Sequence, residues 1–546
     1  MTDSRRVDSP TSAAKPCDGL AVAILALVAV VALLTFRDYG LGWDDYTHAE
    51  YGALLLELYG SGFADTQALT FVNLYAYGGG FDMVAALAAK ILPFDIWETR
   101  RLCGALVGIA GLAVTWRIGR RIGGPIAGLI ALTLLATCPL YYGHMFFNAK
   151  DAPFAVAMAI ALLGLVRVFQ EYPRPDAPAV ALIGIGFGLA FGTRILGGLA
   201  GIYALAAFII LVVTEAPAHS RNAAMKRGMH FLVTLIPAGV LAYATMALVW
   251  PWGVVAPLNP FRALEYFSHF FEKPWRELFA GELIQVPDMP RNYVPQLFAL
   301  RLPEILLALG IAGLFSAVVA VLLRRRSPQD CAALLVVMLA AVTPVVITVI
   351  ERPAMYNGVR HFLFVVPPFA ALAGYAGAQI MDWIGRHFRF GIPIAAIIFI
   401  IGVLLPVIEM VRLHPYQYTF FNQIIGGMRG ANGLYMRDYW GLSFKQMSKK
   451  LLGELSARGE KQPEGRRWRI AVCGPHRPAQ VELGPQFEIV WDPKGADFAM
   501  TLGEFYCRRL DAPIIAEVTR EDIVYARVYD IRGRNFPTLL TIPAPE

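Results

Sequence analysis

Charge is scarce in this chain. Charged residues make up 16% of its 546 residues, against about 25% in soluble domains. The 48 Lys and Arg residues form no dense run, which argues against a nucleic-acid footprint. No glycine-rich phosphate loop lies on the inner side, so no nucleotide cofactor is expected. No strong internal repeat is visible, which counts against the repeat-built secondary transporters. Cysteines number six. Small residues suited to signal-peptide cleavage are missing after the first apolar stretch, where Phe36-Arg37-Asp38-Tyr39 follows. That stretch is expected to stay as a signal anchor.

What the chain has in excess is apolar sequence. Hydrophobic residues reach 57%, above the about 45–50% of soluble proteins. About eleven stretches approach the roughly 20 residues that cross a bilayer. They cover 19–36, 101–117, 122–139, 152–168, 179–193, 195–214, 229–250, 302–323, 331–350, 361–380 and 391–411. With the N-terminus and its Arg5, Arg6 and Lys15 inside, every inner loop is basic, including Arg120 and Arg121, Arg227, and the triplet Arg324, Arg325 and Arg326. This is the positive-inside pattern. The expected fold is an all-α polytopic bundle over residues 1–411, with outer loops at 37–100 and 251–301. A small α/β domain is expected over 412–546, on the outer side. Residues 441–457 read as an amphipathic helix there, and the runs beginning at Arg469, Phe487, Phe498 and Ile523 read as strands. Cys473 and Cys507 fall in this domain, and their spacing leaves a disulfide or two free thiols open.

The chemistry gathers in the outer loops. Gly42-Trp43-Asp44-Asp45-Tyr46 follows the first span, and Phe147-Asn148-Ala149-Lys150-Asp151 lies at the mouth of a later pair. Carboxylates at a membrane surface are costly unless they work. Such an acid can take a proton from an attacking hydroxyl or amine, or hold a divalent cation against phosphate. His48, four residues after Asp44, can share its helical face. Structural roles compete: Asp44 and Asp151 can each cap a helix, Asp45 can be solvated, and His48 can be an ordinary loop histidine. Lys150, Arg194, Arg352, Arg360 and His361 oppose the positive-inside trend and call for an anionic partner, with a lipid phosphate a natural one. Arg352 has Glu351 beside it as an alternative partner, whereas the short loop around Arg194 offers no acid.

Several of these segments resemble the polytopic glycosyltransferases of the C superfamily, in the family 39-like branch of protein O-mannosyltransferases and the lipid A aminoarabinose transferase. The resemblance rests on Trp43-Asp44-Asp45-Tyr46, on Asn148-Ala149-Lys150-Asp151-Ala152-Pro153-Phe154, on Tyr356-Asn357-Gly358-Val359-Arg360-His361, on His414-Pro415-Tyr416-Gln417-Tyr418 and on Asp438-Tyr439-Trp440-Gly441-Leu442-Ser443. It implies a polyprenyl-phosphate-linked sugar donor and transfer on the periplasmic or extracellular face. Asp44 matches the family's catalytic acid, and Asp151 its second-loop acid, which organises the site or a metal. The chain departs from the pattern in having Asp-Asp where the family has Asp-Glu, and Ala149 where it has Pro.

The expected function is therefore an integral glycosyltransferase of the plasma (inner) membrane. Its candidate catalytic residues are Asp44, Asp45 and Asp151, and Lys150, Arg194, Arg360 and His361 are candidate donor-phosphate ligands. A divalent cation on Asp44, Asp151 and His48 is a candidate cofactor. The acceptor can be a lipid, a glycan or a protein, with membrane lipids as neighbours and no nucleic acid. The alternatives are a transporter or flippase of lipid-linked sugars and a non-catalytic partner in envelope assembly.

Overall fold

The computed structural model describes residues 14–268 and 275–541. Arg5 and Arg6 of the expected inner terminus, and Phe270 to Pro274 of the second outer loop, lie outside them. Among the described residues nine helices are long and apolar enough to cross a membrane, or ten if one bent pair counts as a single span. The protein is a multi-pass membrane protein.

Ten of the eleven expected stretches coincide with helices of this set. The remaining one, 179–193, is the helix Ala177–Thr193, which at 17 residues is shorter than the others. The third stretch is not straight. Pro125–Ala136 and Pro139–Phe147 meet at 64°. Pro139 has no N–H to continue the first helix and its ring would clash with the preceding turn, so the chain breaks there. The bend carries Asn148, Ala149 and Lys150 to the end of the bundle that meets the C-terminal domain.

Local chemistry sets the other helix ends. The Asp95 side chain accepts the Glu98 N–H at 2.7 Å and opens Ile96–Gly123. That helix stops at Gly124, whose φ of 86° suits glycine, and Pro125 starts the next one. Asp151–Gln170 and Arg360–His387 are the most enclosed spans, while Gly391–Leu413 and Ala14–Asp38 keep apolar faces turned outward, as a lipid solvent requires.

Beyond the bundle the loop expected outside at 37–100 folds into helices Asp45–Gly60 and Gly80–Ala89. The second carries a hairpin of β1 (Arg276–Phe279) and β2 (Glu282–Gln285). The C-terminal domain holds β3 (Trp468–Cys473), β4 (Phe487–Val490), β5 (Phe498–Leu502), β6 (Ile514–Arg520) and β7 (Ile523–Asp530) in the order β4-β3-β5-β7-β6. β3 runs parallel to β4 and β5, whereas β7 is antiparallel to β5 and β6. β5 is buried along its whole length, which explains why four of its five residues are apolar. The expected helix is Phe444–Ala457 and packs on the sheet and on helix His476–Leu483. β6 escaped the sequence reading because Glu517, Thr519 and Arg520 interrupt its apolar pattern. Cys473 and Cys507 form a disulfide, which closes the question their spacing left open.

Candidate active site

The two adjacent acids of the first outer loop have different surroundings. Asp45 is buried, and Arg101 grips it from below: Nη1 reaches Oδ1 at 2.7 Å and Nη2 reaches Oδ2 at 2.8 Å. The backbone N–H of Gly42 donates to the same carboxylate at 2.8 Å. Both oxygens are thus engaged, so Asp45 holds the loop and is not placed to accept a substrate proton. Asp44 sits at the start of helix Asp45–Gly60 but its side chain makes no capping hydrogen bond. It is 41% exposed and lines a cavity of about 980 Å³ between the bundle end and the C-terminal domain. The capping role open in the sequence is therefore not the one it plays.

Gly42 makes this arrangement possible. A Cβ there would lie 1.6 Å from the Trp440 ring, so only glycine lets Trp440 lie against the acidic loop. Trp440 is delivered by a turn built on Asp438, whose carboxylate accepts the N–H groups of Gly441, Leu442 and Ser443 at 3.0–3.1 Å and the Tyr418 hydroxyl. Burial pushes Asp438 up to about 6. The motif Asp438 to Ser443 is thus a scaffold that presents Tyr439 and Trp440 to the cavity.

Opposite Asp44 stand two cations. Arg360 lies under the Trp440 and Tyr356 rings, 4.6 and 5.0 Å from their centres. Its Nη1 is 3.8 Å from Asp44 Oδ2 and 3.6 Å from Asp151 Oδ2, too far for a hydrogen bond. Its Nε and Nη1 are buried without a hydrogen-bond partner among the described residues. Lys150 places Nζ 4.3 Å from the centre of the Tyr77 ring and also lines the cavity. Loss of water around it, and then the Arg194 guanidinium, push its ammonium down to about 8.

Asp151 stands behind this front. It is 1% exposed and bonds Arg194 directly, with Asn148 Nδ2 donating to it at 2.9 Å. Arg194 therefore has an acid after all. The short loop hid a partner 43 residues away in sequence. His361 packs edge-on against Tyr356, 4.8 Å between ring centres, and among the described residues it does not line the cavity. Arg352 pairs with the backbone carbonyls of Asp288 and Met289 rather than with Glu351.

The expected metal set does not assemble. His48 Nδ1 is bound to Asp82 at 2.6 Å, and Asp82 in turn to Arg100 at 2.6 Å. Asp151 faces two guanidiniums. Among the described residues no three His, Cys, Asp or Glu side chains come together as metal ligands. Asp82, Arg100 and Arg101 were not singled out by the sequence, although Arg100-Arg101 closes the loop expected outside, where the charge rule disfavours basic residues. Glu277 was also missed. It accepts the N–H of Asn357 at 2.6 Å and the Tyr293 hydroxyl at 2.5 Å, and so fixes the loop that carries Tyr356 and Arg360.

Comparisons with known proteins agree with this architecture. Residues 80–250 match the family model of dolichyl-phosphate-mannose-protein mannosyltransferase. No curated protein matches the chain. The oligosaccharyltransferase of Archaeoglobus fulgidus in its apo form is 12% identical, with a TM-score of 0.52, over 87% of this chain and 65% of that one. ArnT from Cupriavidus metallidurans bound to undecaprenyl phosphate is 15% identical over 94% of this chain and 98% of that one, with a TM-score of 0.49. The chain shares its overall fold with that oligosaccharyltransferase, in line with the resemblance carried by its motifs, and the family model matched by residues 80–250 is that of a mannosyltransferase.

Proposed function

We propose that this protein transfers a sugar from a polyprenyl-phosphate donor to an acceptor at the outer face of the plasma membrane, with inversion at the sugar carbon. One observation carries the reading. Asp44, whose carboxylate accepts no hydrogen bond among the described residues, shares one cavity with Lys150 and Arg360, and Arg360 keeps buried N–H groups without a hydrogen-bond acceptor among those residues. Unpaired buried donors are costly, and a phosphate oxygen would satisfy them.

In this reading the acceptor oxygen or nitrogen attacks the anomeric carbon from the side away from the phosphate. Its proton passes to Asp44. The bond between that carbon and the phosphate oxygen breaks, and its electron pair stays on the phosphate. Lys150 and Arg360 stabilise the charge that grows there. Asp151, held by Arg194 and Asn148, sets a counter-charge 3.6 Å from Arg360, Asp45 and Arg101 hold the Asp44 loop, and Asn148 ties Asp151 to the turn that carries Lys150. The cation-rich surroundings of Asp151 do not fit a metal site, and no step here depends on one. The family match over residues 80–250 supports a lipid-phosphate donor, and the disulfide supports an oxidising compartment for the C-terminal domain.

The test is purified full-length protein in neutral detergent with a set of labelled polyprenyl-phosphate sugars and envelope extract as acceptor. Release of polyprenyl phosphate by the native chain and its loss in D44N is the expected result. Equal release by both would remove Asp44 from the reaction, and no release with any donor would overturn the reading.

A further inference from the structure

A second cavity, of about 290 Å³, opens on the C-terminal domain. It is close to the lower limit of ligand sites, about 300 Å³. It lies back to back with the first. The segment after β5 turns Phe505 and Tyr506 toward the large cavity, and Glu504, Cys507, Arg508 and Arg509 toward the small one. This partition is pinned. Cys507 is bonded to Cys473, the Arg508 N–H donates to the Leu539 carbonyl at 2.7 Å, and the Thr541 N–H donates to that of Tyr506 at 2.9 Å.

The wall of the small cavity carries four arginines, Arg437, Arg508, Arg509 and Arg527, against the carboxylates of Glu504 and Asp522. Most of the opposite charge is already engaged. Asp522 pairs with Arg429. Glu504 accepts the backbone N–H groups of Arg437 and Asp438 at 3.2 and 2.8 Å. Arg527 is bound to Glu517. Arg437, 9% exposed, donates to Asn432 and to the Gly503 carbonyl. Its Nε is nonetheless buried without a hydrogen-bond partner among the described residues, and Glu504 stands 3.9 Å away. The Arg508 and Arg509 side chains have no hydrogen-bond or ion-pair partner among the described residues. Three guanidiniums with N–H groups to spare thus border one cavity. A guanidinium offers a planar fork that fits phosphate oxygens two at a time, and it keeps its charge at any working pH.

We propose that this cavity binds a phosphate group, with Arg437 at its base and Arg508 and Arg509 at its mouth. The phosphate belongs to the acceptor or to a lipid headgroup. Assigning it to the acceptor rests on the transfer reading above, since the same segment of chain walls both cavities. Anion binding as such does not depend on that reading.

The experiment uses full-length protein in neutral detergent and measures binding of radiolabelled inorganic phosphate at low ionic strength. Two classes of site are expected in the native chain. The double variant R508A/R509A should weaken one at least tenfold and leave the other, and R360A should do the converse. Both arginines are exposed, so folding is retained, and an unchanged melting temperature checks this. Unchanged phosphate binding in R508A/R509A overturns the proposal, whether or not the protein proves to transfer sugar. Loss of both classes in that variant also overturns it, because the cavities would then not be separate sites. A second arm separates the sources. In nanodiscs containing anionic phospholipid, a lipid headgroup would compete with phosphate for the Arg508 site, whereas undiminished binding assigns the site to the acceptor.

Discussion

Arg101 holds Asp45 by both carboxylate oxygens, at 2.7 and 2.8 Å, and thereby decides which of two adjacent acids can react. Asp44, one residue earlier, has no such partner and faces the cavity. The pair should respond in opposite ways to the same conservative change. Asp44→Asn should cut turnover by about 10²–10⁴ and leave the melting temperature in place. Asp45→Asn strips a buried guanidinium of its counter-charge, so it should cost about 3–5 kcal/mol of stability. Thermal melts and turnover measured side by side check both, and an active Asp44→Asn enzyme would end the assignment.

The donor clamp makes a graded forecast. Arg360→Ala removes a direct phosphate contact worth about 1.5–3 kcal/mol, so the donor KM should rise roughly ten- to a hundredfold. Arg194→Ala instead takes a bonded partner from buried Asp151 and should lower the melting temperature as well as activity. Arg352→Ala, bound to backbone carbonyls away from the cavity, should change neither donor KM nor turnover. Donor kinetics across the three variants decide it, and an Arg352→Ala enzyme as impaired as Arg360→Ala would misplace the clamp.

Lys150 gives the site a pH dependence. Burial and Arg194 hold its ammonium at about 8, below the ordinary 10.5. As pH rises through about 8 the free enzyme loses this charge, and donor KM should climb. The stability effect has the opposite sign. Between about 8 and 10.5 the unfolded chain holds the extra proton, so the folded state without donor gains stability as pH rises. Lys150→Arg keeps its charge throughout and should flatten the KM profile. A profile of the same shape in that variant would assign the titration to another group.

The disulfide holds the wall between the two cavities. Its cysteines are 34 residues apart, and opening a loop of that size typically costs about 2–4 kcal/mol. The double variant C473S/C507S should melt at a lower temperature, with acceptor KM affected more than donor KM, because the bond anchors the segment that carries Arg508 and Arg509 into the small cavity. Equal melting temperatures for native and variant protein would show that the bond is not formed in the mature chain.

Topology can be tested independently of chemistry. Reporter fusions after residue 326 should read out the cytoplasm, and fusions after residue 440 the outer compartment. A shared compartment would contradict the placement of the C-terminal domain.

The sequence by itself determined the solvent of this protein and most of its helices. A bilayer demands long apolar stretches and basic inner loops, and both are one-dimensional signals that need no partner elsewhere in the chain. It also placed Asp44, Lys150, Arg360 and the turn at Asp438 in recognisable motifs, and four of the five C-terminal strands in apolar runs. Pairing was what it could not decide. Arg101 meets Asp45 across 56 residues and Arg194 meets Asp151 across 43, and His48 is claimed by Asp82. Charge attraction depends on distance in space, and only the packed bundle brings these groups within reach. The tertiary structure therefore divided three similar carboxylates into one that faces the cavity and two that hold the loops around it.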